Sequence, residues 1–194
     1  MIVAKALEKR YGAKRALRPV DLSLAAGGFL VVTGANGSGK TTLLRLVAGL
    51  AAPTGGELEV AADRAQLGFL GHEPLVYRDL TAVENLDLYG RLYRVLERRE
   101  RIGMLLERFA LWEARNERAG SYSRGMLQRL ALCRALLHDP GLLVLDEPFT
   151  ALDADGAALL DRLLGELAGT RTVLLSTHDP QRVERLATAR LALA

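Results

Sequence analysis

Eight residues, Gly34-Ala35-Asn36-Gly37-Ser38-Gly39-Lys40-Thr41, constrain this chain more than any others. They spell G-x-x-x-x-G-K-T, the phosphate-cradling P-loop pattern. The apolar run before them, Phe29-Leu30-Val31-Val32-Thr33, is rich in β-branched residues and predicts a buried strand. Thr42-Leu43-Leu44-Arg45-Leu46-Val47-Ala48 follows with helical spacing, and Gly49 stands near its end. Strand, glycine loop and helix make up the context the pattern needs. The glycines let successive N–H groups turn inward towards an anion, and the new helix adds its positive end. In that setting Lys40 reaches the outer phosphates and Thr41 places a hydroxyl on Mg²⁺.

The rest of the chain reads as an α/β protein built around that unit. Residues 2–8 and 20–24 alternate as strands ahead of the loop, which suggests a small antiparallel sheet laid against the core. Tyr11, the first aromatic residue, either offers a ring face to a base or packs half-buried at a strand end. Two further strands are predicted near 57–60 and 66–70, then a loop, Gly71-His72-Glu73-Pro74. Thr81-Ala82-Val83-Glu84 is a capping-box pattern that opens a helix. From about 82 to 120 the segment is rich in Arg and Glu. Its apolar positions are Leu86, Tyr89, Tyr93, Leu96, Ile102, Leu105, Leu106 and Phe109, at helical spacing. It predicts an inserted helical subdomain, extending through the next helix to about 138.

Ser123 is a good N-cap for that next helix, expected over Leu127 to Leu137. Leu142 to Leu145 is a wholly apolar strand ending in Asp146-Glu147-Pro148. Acids at the carboxyl end of a parallel strand stand where ligands bind in such sheets. Pro148 should bias Glu147 away from helical dihedrals and hold it at the strand edge. A helix over about 153–168, a strand over 172–176, His178 just past its end, a short helix and an edge strand over 190–194 complete the reading. His178 is either structural or part of the site.

Composition limits the alternatives. The 194 residues suit one domain, 1–194, with 49% hydrophobic and 25% charged residues, ordinary for a soluble chain. No run approaches a membrane span, and the start lacks a signal-peptide layout, so a cytoplasmic address is expected. The single cysteine, Cys133, lies on an apolar helical face and is expected to pack in the core. A net charge of +3 is too small to argue for nucleic acid.

Tyr11, the loop at 34–41, the loop at 71–74, Ser123-Arg124-Gly125-Met126 with Gln128-Arg129, Asp146-Glu147, Ala151-Leu152-Asp153 and His178 occur in one order. Together they resemble the nucleotide-binding domain of an ABC transporter over essentially the whole chain. The resemblance implies an α/β P-loop NTPase core with an antiparallel β edge and an inserted helical subdomain. It implies that the chain hydrolyses ATP with Mg²⁺. Tyr11 would stack on adenine, and Gly34, Ala35, Asn36, Gly37, Ser38, Gly39, Lys40, Thr41 and Thr42 would wrap the phosphates. Asp146 would hold Mg²⁺ with Thr41, Glu147 would be the general base, and His178 would contact the γ-phosphate. Ser123 and Gly125 would close over the ATP of a partner copy, in a homodimer around two ATPs, and Asp153 would belong to the loop linking the two sites. Separate transmembrane permease subunits, a place on the cytoplasmic face of the inner membrane and no nucleic acid partner are implied too.

Two segments depart from the family pattern. The usual signature is Leu-Ser-Gly-Gly-Gln, where this chain has Tyr122-Ser123-Arg124-Gly125-Met126, and His72 stands where the family carries Gln. A neutral imidazole offers one donor and one acceptor, as the amide does in miniature, so His72 is expected beside Mg²⁺ and water. Gly71-His72-Glu73-Pro74, the segment 80–86, Pro148-Phe149-Thr150, Asp155-Gly156 and the 16 residues (194 − 178) after His178 narrow the resemblance. They are similar to the ATP-binding subunit of the haem exporter of cytochrome c maturation. Another exporter subunit, for a drug or a lipid, and a soluble ABC-type ATPase outside transport are the alternatives.

Overall fold

A computed structural model describes residues 2–194. Its centre is a parallel sheet of five strands in the order β5-β6-β7-β3-β8. These are β3 (Phe29–Gly34), β5 (Leu67–Leu70), β6 (Leu142–Asp146), β7 (Thr172–Ser176) and β8 (Ala189–Leu193). The central strands β6 and β7 are buried along their whole length because both faces are covered, whereas β8, at the edge, alternates and exposes Arg190. Phe29, Val31, Leu143, Leu145, Val173 and Leu175 meet the helical side. The alternate residues, Leu30, Val32, Leu142, Val144 and Leu174, meet the other layer.

That other layer holds α1 (Lys40–Val47) and an antiparallel sheet in the order β2-β1-β4. Its strands are β1 (Ile2–Tyr11), β2 (Lys14–Leu24) and β4 (Gly55–Val60). Leu43, Leu44, Leu46 and Val47 of α1 pack there with Ile2, Leu7, Leu17 and Leu24. The expected antiparallel edge is thus present, and β8 is an edge strand beside β3, in parallel register.

On the helical side lie α2 (Ala82–Leu92), α3 (Arg98–Arg108), α4 (Arg124–Leu136) and α5 (Ala154–Leu167). Thr81 makes the full capping box: its hydroxyl accepts from the Glu84 amide at 3.1 Å, and its own amide donates to the Glu84 carboxylate at 2.8 Å. The helical expectation for 82 to 120 holds for α2 and α3 only. Arg94 and Ala110 adopt left-handed dihedrals (φ 54° and 51°), and the amides of Val95 and Leu111 bond back to Gly90 and Leu106 at 2.8 Å. This six-to-one closure ends a helix without glycine. Residues 112–123 are then irregular apart from one 3₁₀ turn, and Leu96, expected on an apolar face, lies 87% exposed in the break between α2 and α3. The last expected helix is a 3₁₀ segment, Pro180–Leu186.

Cys133 is fully buried in α4, with its thiol held well above the ordinary range by burial, as core packing requires. Asn85, also buried, was not singled out by its sequence. Its carboxamide accepts from the Tyr77 amide (2.7 Å) and donates to the carbonyls of Tyr77 and Thr81 (2.9 Å each), pinning the loop that follows β5 to α2.

Candidate functional site

β3 delivers Gly34 to the carboxyl edge of the sheet, where the glycine loop turns into α1. A side chain at Gly39 (φ 105°) would put its Cβ 2.6 Å from the Ala16 carbonyl oxygen, so β2 presses directly on the loop. Gly34 (φ 148°) is equally closed, with the Leu193 carbonyl oxygen and the Ser38 hydroxyl 2.5 Å from a built Cβ. The result is a backbone cradle that only glycine permits. Lys40, 8% exposed, donates to the Gly34 carbonyl at 2.8 Å and stands 3.8 Å from a Glu147 oxygen.

The ends of β6 and β7 bring in the acids. Asp146 is buried; one oxygen accepts from the Thr41 hydroxyl at 2.7 Å and the other from Ser176 at 2.6 Å. The Ser176 hydroxyl in turn accepts from the Glu147 amide at 2.9 Å. Glu147 lies just beyond β6 with φ 48°, in the left-handed region and not at an extended strand edge. Pro148 disfavours the right-handed helical region for the residue before it, and Glu147 escapes to the opposite side. There its carboxylate accepts from the His178 amide (3.3 Å) and from His178 Nδ1 (2.8 Å). The carboxylate is an acceptor only, so Nδ1 carries the hydrogen.

Lys40, Thr41, Thr42, Asn36, Gly37, Gly39, His72, Glu147 and His178 line one cleft of about 420 Å³. Lys14, Ala16 and Thr150 line it too, and sequence reasoning missed them. No pattern marks Lys14 or Ala16, because they are ordinary strand residues until β2 folds over the loop. Ser176 was missed for the same reason: it reads as the last residue of an apolar strand.

Of the expected residues, Tyr11, Gly34, Ala35, Ser38, Ser123, Gly125 and Asp146 are not in this lining, and Ala35 and Ser38 line a separate groove with Arg15 and Arg18. Tyr11 is 51% exposed at the end of β1 and is not in the lining, although it pairs with Lys14 across the hairpin. Ser123 caps α4 through the Met126 amide at 3.2 Å. Gly125 lies against the Ala151 carbonyl. A second cleft of about 380 Å³ adjoins the first, sharing His72, Glu147 and Thr150, and Asp146, Arg78 and Arg124 are in its lining.

This donor set suits a polyphosphate and Mg²⁺. Loop amides and Lys40 meet anionic oxygens, while a hydroxyl and a carboxylate already 2.7 Å apart offer hard oxygen ligands. Two protein oxygens are few, as Mg²⁺ prefers when phosphates and water complete its shell. Among the described residues no cluster of three or more His, Cys, Asp or Glu could hold a metal by itself. Among the described residues no helix is long and apolar enough to cross a membrane.

The family model described as ABC transporter matches residues 17–150. The daunorubicin resistance ATP-binding protein DrrA3 of Streptomyces coeruleorubidus is 39% identical over 96% of this chain and 63% of its own length. The Nod factor export ATP-binding protein I of Rhizobium johnstonii is 36% identical, over 93% of this chain and 62% of its own. The chain thus spans about three fifths of the length of these relatives. A dimeric ATP-binding cassette in a post-hydrolysis state, bound to ADP and Pi, superposes with a TM-score of 0.85 at 30% identity, covering 100% of this chain and 94% of that one.

Proposed function

Because the chain belongs to the ABC transporter family as one of its ATP-binding cassettes, we propose that it hydrolyses MgATP to drive an exporter whose membrane-spanning part is a separate permease. The observation that carries this is the hydrogen-bonded line Thr41–Asp146–Ser176–Glu147–His178, whose Thr41, Glu147 and His178 line one cleft with Lys40. Thr41 and Asp146 would hold Mg²⁺, which would supply charge neutralisation for the phosphates. The chain's own groups do the rest. Loop amides and Lys40 position the nucleotide, Glu147 takes a proton from water, and His178, fixed by Glu147, turns its remaining nitrogen to the cleft. His72 is exposed and lines both clefts, which supports its taking the place of the family's Gln.

Ser123 and Gly125 line neither cleft, which supports their use on the nucleotide of a partner copy. The proposed assembly is therefore a head-to-tail homodimer around two ATPs, resting on the inner membrane through its permease. The helical subdomain is proposed to run from about 82 to 138 within a single domain.

For cargo, the segments around His72 and Pro148 support haem export in cytochrome c maturation. The relatives named for daunorubicin resistance and Nod factor export support the alternative, an exporter of another organic compound. A pull-down from native membranes, with the complex analysed for haem and for its permease, separates them. Haem with the complex supports the first reading; a permease complex free of haem, stimulated by amphipathic drugs, supports the second. Absence of Mg²⁺-dependent ATP turnover by the purified chain overturns both.

A further inference from the structure

The hairpin of β1 and β2 carries several cations, and the structure separates them. Lys9 is occupied: its ammonium donates to the Ala52 carbonyl at 2.7 Å and lies 4.9 Å from the centroid of the Tyr11 ring. Lys14 is exposed and lines the glycine-loop cleft beside Asn36, Gly37 and Lys40. Among the described residues its ammonium has no ion-pair partner.

Its position is set by the fold. Lys14 and Ala16, both on β2, line the cleft together. The Ala16 carbonyl and the Leu17 side chain both press on Gly39, which holds this stretch of β2 against the loop. In the antiparallel register Tyr11 stands opposite Lys14, so both side chains leave the hairpin on the same side. Lys40 differs in kind. It is nearly buried and already tied to the Gly34 carbonyl and Glu147, whereas Lys14 is an exposed charge lining the same cleft. Among the described residues Glu147 is the only carboxylate in the lining, and Lys40 and His178 already engage it.

We propose that Lys14 is a second phosphate-binding lysine: it reaches over the glycine loop and grips the polyphosphate chain of the nucleotide from the side opposite Lys40. The inference rests on reading this cleft as an ATP site. It makes the hairpin, and not the P-loop alone, responsible for telling a polyphosphate from a monophosphate.

Titration calorimetry with ATP, ADP and AMP on the wild type, Lys14→Gln, Lys14→Arg and Lys40→Ala tests it. Loss of one solvent-facing charge-assisted contact should weaken ATP binding by Lys14→Gln about tenfold. ADP should be weakened less and AMP by under about twofold, since fewer phosphate charges remain to be held. Lys14→Arg should restore most of the affinity for ATP, and added salt should erode the difference between wild type and Lys14→Gln. Unchanged ATP affinity in Lys14→Gln, while Lys40→Ala loses it, overturns this inference alone. An equal loss for ATP, ADP and AMP also overturns it, because it assigns Lys14 to hairpin structure. Unchanged ATP affinity in Lys40→Ala overturns the nucleotide reading of the cleft itself.

Discussion

Glu147 combines a strained backbone with a crowded carboxylate. A non-glycine residue at φ 48° costs on the order of 1–3 kcal/mol. The neighbourhood over-determines it: the amide is held by Ser176, the carbonyl by the Thr150 amide at 3.0 Å, and the carboxylate by His178. Such strain places the acid beyond the end of β6, facing the glycine loop. Glu147→Gln retains shape but cannot take a proton. It should keep ATP binding and lose about 10²–10⁴-fold in turnover, with an ATP-bound dimer accumulating on gel filtration. Turnover near the wild-type rate removes Glu147 from the role of base.

At the scale of elements, the join between the helices and β5 carries the pH-sensitive contact. His138, just past α4, hydrogen-bonds through Nε2 to the Leu67 carbonyl at 3.1 Å and stacks on Tyr93 with ring centres 3.9 Å apart. Its Nδ1 is buried with no partner. Burial lowers the His138 pKa below the ordinary histidine value; Arg134 and Arg101 act the same way, while the Leu67 bond and Asp139 oppose them. The unfolded chain therefore takes up a proton that the folded chain resists. Stability is full above the ordinary value, about 6.5, and declines as pH falls from there towards the lowered folded value. Urea unfolding should show the wild type losing more stability between pH 7.5 and 5.5 than His138→Gln does. Parallel losses in the two proteins remove His138 from the pH response.

For the whole molecule, the question is which copy's groups meet. The amide of buried Gln128 donates to the Pro148 carbonyl at 3.1 Å, so α4 is tied to the segment that carries Glu147. If Ser123 and Gly125 serve a partner's nucleotide, Lys40→Ala and Gly125→Asp should each be nearly inactive. Mixing them should restore turnover, because one site of the mixed dimer is free of both changes. Specific activity of the wild type should also rise with protein concentration. Activity independent of concentration, with no recovery on mixing, counts against a shared site.

Much of this protein could be read along the chain. The glycine loop, the Thr81 capping box, the Ser123 cap and the apolar strand ending in Asp146-Glu147 are local patterns whose physics acts within a few residues, and each appears where expected. The family resemblance rests on such patterns, and the ABC membership follows it. Local pattern could not say that α2 stops at a left-handed Arg94, because nothing but packing distinguishes that stop from continued helix. It could not place Glu147 at positive φ, since the bonds that hold it come from β7, 29 residues later. Nor could it find Ser176, Asn85 or Lys14. Ser176 and Asn85 are defined by buried polar groups that need partners across the fold. Lys14 is defined by β2 lying down on the loop. A polar residue's task depends on what burial and neighbours leave unsatisfied around it, and only the tertiary structure decides that.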